Sequence, residues 1–152
     1  MRISFQGEIE SLLAGIHILA KELAFEVGAG ELAVTVQRRE GELVVEKDHN
    51  SATICFEKEI HFFRGLGLLL EGIAKGETNF SIRELPQFKT NGAMFDCSRN
   101  AVMRLETVKS ILRKMAIMGL DTLMLYTEDT YEIPNRPYFG YLRGRYTYEE
   151  LS

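Results

Sequence analysis

Along the first ninety residues, apolar positions switch between the period of two that marks a strand and the period of about 3.6 that marks a helix. Residues 1–5 alternate as a short strand closed by Gly7. From residue 8 to about 27, Leu12, Leu13, Ile16, Leu19, Ala20 and Leu23 recur at helical spacing and form one stripe. Gly28 and Gly30 stop that helix, since glycine tolerates the left-handed backbone that helix ends favour. Two Val-bearing runs, residues 32–37 and 43–47, flank the turn-forming Arg38-Arg39-Glu40-Gly41 and read as a hairpin. Residues 52–56 give a further strand. Residues 59–75 return to helix, with Phe62, Phe63, Leu66, Leu69, Leu70 and Ile73 on one side, and residues 78–85 make a last strand before Pro86. The fold class expected for residues 1–86 is an α+β sandwich, an antiparallel-rich sheet with two helices on one face.

The pattern changes after a boundary at residues 86–92, where Pro, Gln, Lys, Thr, Asn and Gly interrupt it. Ala93, Met94 and Phe95 are consecutive apolar residues, as in a strand covered on both faces. Residues 105–120 form a helix whose stripe is Val108, Ile111, Leu112, Met115 and Met118, and residues 122–126 form a second strand of the buried kind. Strand, helix and strand with short connections predict a right-handed βαβ unit with parallel strands over residues 92–152. Thr147 and Glu150 then match a capping box, which starts a helix. One βαβ unit cannot cover both faces of its sheet, so the sequence is expected to be a piece of a longer polypeptide.

Composition narrows the classes. The chain has 152 residues, 45% hydrophobic and 26% charged, enough apolar material for a core. Its net charge of -4 supplies no general attraction for nucleic acid or an anionic membrane. Its apolar runs fall far short of the roughly 20 residues that span a bilayer. Glu8 and Glu10 stand where a signal peptide would need an apolar stretch, so the expected location is cytoplasmic. Cys55 and Cys97 are the only cysteines, and no His or Cys pair has metal spacing, so neither a metal nor a cofactor is expected.

Parallel α/β sheets place ligands beyond the carboxyl ends of their strands. Two polar clusters occupy that position, Asp96-Cys97-Ser98-Arg99-Asn100 after the first strand and Thr127-Glu128-Asp129-Thr130-Tyr131-Glu132 after the second. An Arg there offers five fixed donors suited to paired hydroxyls or a carboxylate. The competing reading is that Arg99 and Asp129 pair with each other and pin the two loops. His17, His49 and His61 read as surface or helix-start residues, and Gly65 and Gly67, inside a helix, as sites of close packing.

The run Asn91-Gly-Ala-Met-Phe-Asp-Cys-Ser-Arg-Asn100 resembles the strand that opens the catalytic barrel of family 20 glycoside hydrolases, the β-N-acetylhexosaminidases. Glu106-Thr-Val-Lys109 and Lys114-Met-Ala116 fit the helix that follows it there, and residues 123–129 fit the next strand with its acidic pair. Residues 136–145, Arg-Pro-Tyr-Phe-Gly-Tyr-Leu-Arg-Gly-Arg, resemble the branch containing bacterial exo-acting β-N-acetylglucosaminidases. The resemblance implies that residues 92–152 begin a (β/α)8 barrel and that residues 1–86 are the small non-catalytic domain. It implies that Arg99 binds ring hydroxyls of a terminal N-acetylhexosamine, that Glu128 or Asp129 supports the site, and that Asp96 assists. Asn100 and Glu128 depart from the residues usual in the family.

The mechanism so implied is substrate-assisted: the sugar's own acetamido oxygen attacks the anomeric carbon while a Glu protonates the leaving oxygen and an adjacent Asp orients the amide. That Asp-Glu pair lies on a later strand in the family, so this chain holds no catalytic residue and is expected to be inactive alone. A barrel needs eight strands and about 250 residues. The rival reading comes from residues 136–148, where three Arg alternate with Tyr138, Phe139, Tyr141, Tyr146 and Tyr148 as in a module for single-stranded nucleic acid or a protein partner. The acidic balance of the chain disfavours nucleic acid. Uncovered barrel strands would leave self-association, or disorder after about residue 90, as the expected state of the chain.

Overall fold

The structure, a computed structural model, describes residues 1–99 and 101–151. Its first part runs β1 (Arg2–Gly7), α1 (Leu13–Glu22), β2 (Glu26–Val27), β3 (Leu32–Arg38), β4 (Leu43–Asp48), β5 (Ser51–Phe56), α2 (Glu59–Ala74) and β6 (Asn79–Glu84). The second part runs β7 (Gly92–Asp96), α3 (Leu105–Met118), β8 (Thr122–Tyr126) and the short α4 (Tyr148–Leu151). No helix among the described residues is long and apolar enough to cross a membrane.

Strands β1 to β6 form one sheet in the order β2-β1-β3-β5-β4-β6. Alternation along the strands sends Val34, Val36, Leu43, Val45, Ile54 and Phe56 into one core, where they meet Leu12, Ile16 and Leu19 of the α1 region and Phe62, Leu66 and Leu69 of α2. Both helices therefore lie on one face, as the apolar stripes require. Phe56 and Phe62, with ring centroids 5.7 Å apart, pack edge to face at its centre.

Three expectations for this sheet need correction. It is mixed rather than antiparallel-rich: β1 pairs parallel with β2 and β3, and β3 parallel with β5, while β4 runs antiparallel to β5 and β6. The first helix provides a crossover between β1 and β3, which leaves them parallel. Second, β3 and β4 do not form the expected hairpin, because β5 lies between them. The tighter connection wins: Asp48 pairs with Ser51 across His49 and Asn50, with His49 in the left-handed region at φ 49°. Third, the first helix ends at Glu22 and not near residue 27, since Ala24 turns left-handed at φ 54° and the chain re-enters the sheet as β2.

Strands β7 and β8 pair parallel in register from Gly92↔Thr122 to Asp96↔Tyr126, with α3 between them in sequence. One face is covered: Leu123 and Leu125 pack on Cys97, Val108 and Tyr146. The other face is open, with Met94 61% and Met124 59% exposed, so these strands are not covered on both sides as their apolar run suggests. Val108 of α3 packs on the covered face, while Met94 and Met124 mark the exposed one. Helices α2 and α3 meet at Gly67, where an added Cβ would stand 2.8 Å from the Ile117 carbonyl oxygen. Gly65 faces Ile54, Leu43 and Val45 equally closely, so both glycines serve close packing. The Thr147–Glu150 capping box forms at α4: the Glu150 amide donates to Thr147 Oγ1 at 3.2 Å and the Thr147 amide to Glu150 Oε2 at 2.9 Å.

Candidate functional site

Because β7 and β8 are parallel and in register, the chain leaves both at the same edge. The Cys97 amide still donates to the Tyr126 carbonyl, which carries the pairing one residue past the strands. Asp96 then organises the first loop. Its Oδ1 accepts from the Ser98 hydroxyl at 2.6 Å and the Ser98 amide at 2.8 Å. Those two bonds, with the nearby Arg99 guanidinium, hold the Asp96 carboxyl below its ordinary value of 3.8. Arg99 itself reaches out: its side chain is 87% exposed, and its Nε lies 3.4 Å from Asp96 Oδ2. A contact that exposed leaves most of the guanidinium fork open to solvent and to a ligand. Asn100 lies outside the described residues.

The second loop is held more tightly. Thr130 is fully buried, and its hydroxyl donates to the Thr127 carbonyl at 2.7 Å. Glu128 stands exposed in the left-handed region at φ 50°, and the Tyr126 hydroxyl donates to its Oε1 at 3.4 Å. A non-glycine residue there carries a local backbone cost, which the fixed Thr127–Thr130 turn sustains. Asp129 Oδ1 accepts from Arg143 Nη1 at 3.0 Å.

Arg143 ties the two strand ends together, because its other terminal nitrogen donates to the Ser98 carbonyl. The paired-loop alternative read from the sequence thus takes a different form: Arg99 pairs with Asp96, and Asp129 with Arg143. Gly140, at φ 63°, presses its backbone on the Asp129 carbonyl, where any side chain would overlap it. Arg145 is likewise engaged internally, with Glu132 at 3.2 Å and with the Phe139 carbonyl. Behind the loops, Tyr146 is buried beside Cys97, its hydroxyl 3.9 Å from the Cys97 Sγ. Burial, reinforced by Cys97, pushes the Tyr146 phenol up to about 12.

The sequence placed Asp96, Arg99, Glu128 and Asp129 at one edge, and the structure brings them there. It missed Arg143, which read only as one member of an Arg and aromatic run. Two of the three Arg of that run, Arg143 and Arg145, are engaged in internal ion pairs. No group of three or more His, Cys, Asp or Glu among the described residues could hold a metal ion. A separate cleft of about 390 Å³, lined by His61, Arg64, Glu84, Phe88, Asn91 and Asp121, opens at the opposite, amino-terminal ends of β7 and β8.

Searches with the sequence match no family model and no curated protein. The fold does have solved counterparts. A GH20 exo-β-N-acetylglucosaminidase from Vibrio harveyi, solved in complex with N-acetylglucosamine, superposes with a TM-score of 0.76 at 18% identity, over 98% of this chain and 29% of its own. The GH20 β-N-acetylhexosaminidase of Streptomyces coelicolor A3(2) gives 0.73 at 16% identity, over 98% of this chain and 38% of its own. This is the fold of family 20 β-N-acetylhexosaminidases. The likeness to the hexosaminidases takes in both sheets, since it runs over nearly the whole chain, while the chain spans less than two fifths of their length. A GH138 enzyme targeting pectin rhamnogalacturonan II shares the fold less closely, with a TM-score of 0.62 at 10% identity over 83% of this chain and 24% of its own.

Proposed function

We propose that this chain is the amino-terminal part of an exo-acting β-N-acetylhexosaminidase, which removes terminal N-acetylglucosamine or N-acetylgalactosamine by substrate-assisted retaining hydrolysis. Residues 1–86 form its small non-catalytic domain, and residues 92–152 begin its (β/α)8 barrel. Arg99 grips ring hydroxyls of the terminal sugar, Glu128 and Asp129 complete the rim from the neighbouring strand, and Asp96 orients Arg99. The observation that carries this reading is the open guanidinium of Arg99 at the shared carboxyl edge of two parallel strands, in a fold that matches hexosaminidases over 98% of the chain. Ligands of parallel α/β sheets bind at that edge. The catalytic Asp-Glu pair of the family has no counterpart in this chain, so the chain alone binds sugar without cleaving it.

The test joins turnover and binding. The 152-residue chain should release no chromophore from a nitrophenyl N-acetylglucosaminide, and N-acetylglucosamine should shift amide signals of residues 96–99 and 127–129 in nuclear magnetic resonance spectra. Arg99→Ala should abolish those shifts. Sugar binding indifferent to that substitution would overturn the assignment of Arg99. Salt-sensitive binding of single-stranded oligonucleotide with no sugar binding would replace the whole reading by the nucleic-acid one.

A further inference from the structure

Arg99 carries the proposed contact with sugar, yet little aims its side chain. The guanidinium stands in solvent, and its ion pair with Asp96 spans 3.4 Å. A long side chain in water samples many rotamers, so the fold directs it chiefly by fixing the backbone from which it leaves. That backbone is held from both sides at Ser98. Ser98 is buried, and its amide and hydroxyl both donate to Asp96 Oδ1. Its carbonyl belongs to the peptide bond that leads into Arg99, and it accepts from Arg143 Nη2. Nη1 of the same guanidinium donates to Asp129 Oδ1 at 3.0 Å. One rigid fork thus fixes the peptide before Arg99 and the carboxylate that follows the neighbouring strand.

Arg143 is itself anchored. Its amide donates to the Gly140 carbonyl at 3.0 Å, and Gly140 presses on the Asp129 carbonyl. Three residues on, the Tyr146 amide donates to the Thr130 carbonyl at 3.0 Å. Arg143 Nε, by contrast, is buried with no hydrogen-bond partner among the described residues. An unpaired buried donor costs free energy, which a lysine or an aliphatic chain would avoid if only charge or bulk were needed here. What a guanidinium adds is a reach to two acceptors from two rigidly joined nitrogens.

We infer that Arg143 is a positioning residue for the terminal-sugar site: its fork fixes the direction in which Arg99 leaves the backbone and the place of Asp129 beside it, so that sugar affinity depends on Arg143. The identity of the ligand rests on the proposed function. Both terminal nitrogens of Arg143 are engaged, so it acts through Arg99 and Asp129 and not on the sugar. Groups held in place before binding lose less freedom when the ligand arrives, and a loosened support weakens every contact made through it.

Two variants separate the fork from the rest of the side chain. Arg143→Met keeps an apolar stem, and Arg143→Lys keeps the charge. Titration of N-acetylglucosamine into the 152-residue chain, followed on amide signals of the folded molecules, should give an affinity about tenfold lower in both. Without sugar, the heteronuclear Overhauser effect of the Arg99 amide should fall in both, while those of Val108 and Leu123 on the covered face match the unaltered chain. A role in stability alone would lower the urea midpoint and leave both the affinity of the folded molecules and the order of Arg99 unchanged, and that result overturns the inference. Affinity restored by Arg143→Lys also overturns it, since charge beside Asp129 would then suffice. If Arg143→Met does not fold, Arg143→Lys decides by the same two readings. An unaltered chain that binds no N-acetylglucosamine removes the sugar reading; the Arg99 amide then decides the positioning by itself, which stands if its order falls in the variants and fails if it does not.

Discussion

Arg143 holds together two segments that lie forty-five residues apart, Ser98 and its own loop, and adds Asp129 as a second anchor. Hydrogen bonds to charged groups contribute about 1.5–3 kcal/mol each net of solvation, and the Arg143 side chain is only 27% exposed, which limits screening of its pair. Arg143→Ala should therefore lower the stability of the β7–β8 region by about 2–3 kcal/mol, measured as a shift in urea midpoint. Arg143→Lys should recover less than half, because an ammonium cannot fork between a carbonyl and a carboxylate. A second prediction concerns Asp96. Its folded carboxyl titrates below 3.8, so the stabilisation from its ionised form is complete above that pH and is lost as the pH falls through the folded value. Ser98→Ala removes the largest contributor, and carbon-13 spectra of the Asp96 carboxyl should show the midpoint rising towards 3.8; an unmoved midpoint would exclude the Ser98 hydroxyl as the cause. Asp96 and Arg99 are legible in the sequence because a strand end dictates where they emerge. Arg143 is not: residues 127–147 fold back without a period, closed by the isolated bridge between Tyr131 and Tyr146, and nothing in the spacing names the partners such a fold-back selects.

Helix packing sets the next scale, and Gly67 decides how closely α2 and α3 approach. Gly67→Ala would gain about 1 kcal/mol of helix propensity, but the new methyl meets a backbone oxygen at 2.8 Å, which cannot rotate aside. Overpacking costs about 1–3 kcal/mol, so the substitution should be destabilising on balance, with the thermal midpoint lower by about 2–4 °C; a rise would mean that α3 yields freely. Close packing at Gly65 and Gly67 was legible in the sequence, since both sit among apolar residues on one helix, whereas the partner helix α3 was not. Strand pairing was less plain. Residues 32–37 and 43–47 have the pattern of hairpin partners, yet each instead pairs with β5, because the two-residue His49-Asn50 turn joins β4 directly to β5, which lies between β3 and β4. Alternation along a strand records which face is buried, and it is silent on which neighbour lies alongside.

At the scale of the whole molecule, the exposed layer is the open face of β7 and β8. Met94 and Met124 are directly opposite in register there, followed by Asp96 and Tyr126 on the same side. Burying a large apolar side chain is worth about 1.5–3 kcal/mol, and a parallel pair covered on one face forgoes that gain on the other. The sequence anticipated two covered faces because the strands carry the composition of a complete sheet; only one covering helix is present among the described residues. The isolated chain should therefore self-associate, with a mass by light scattering that rises with concentration. Met94→Lys/Met124→Lys should hold it monomeric without changing its circular dichroism, since two ammonium groups cannot be desolvated in an apolar contact. Because Asp96 shares that face with the methionines, association crowds the rim, and the lysine variant should bind N-acetylglucosamine at least as well as the unaltered chain. A monomer at every concentration would show that Met94 and Met124 are tolerated in water, and weaker sugar binding by the variant would place the ligand on the apolar face itself, away from Arg99.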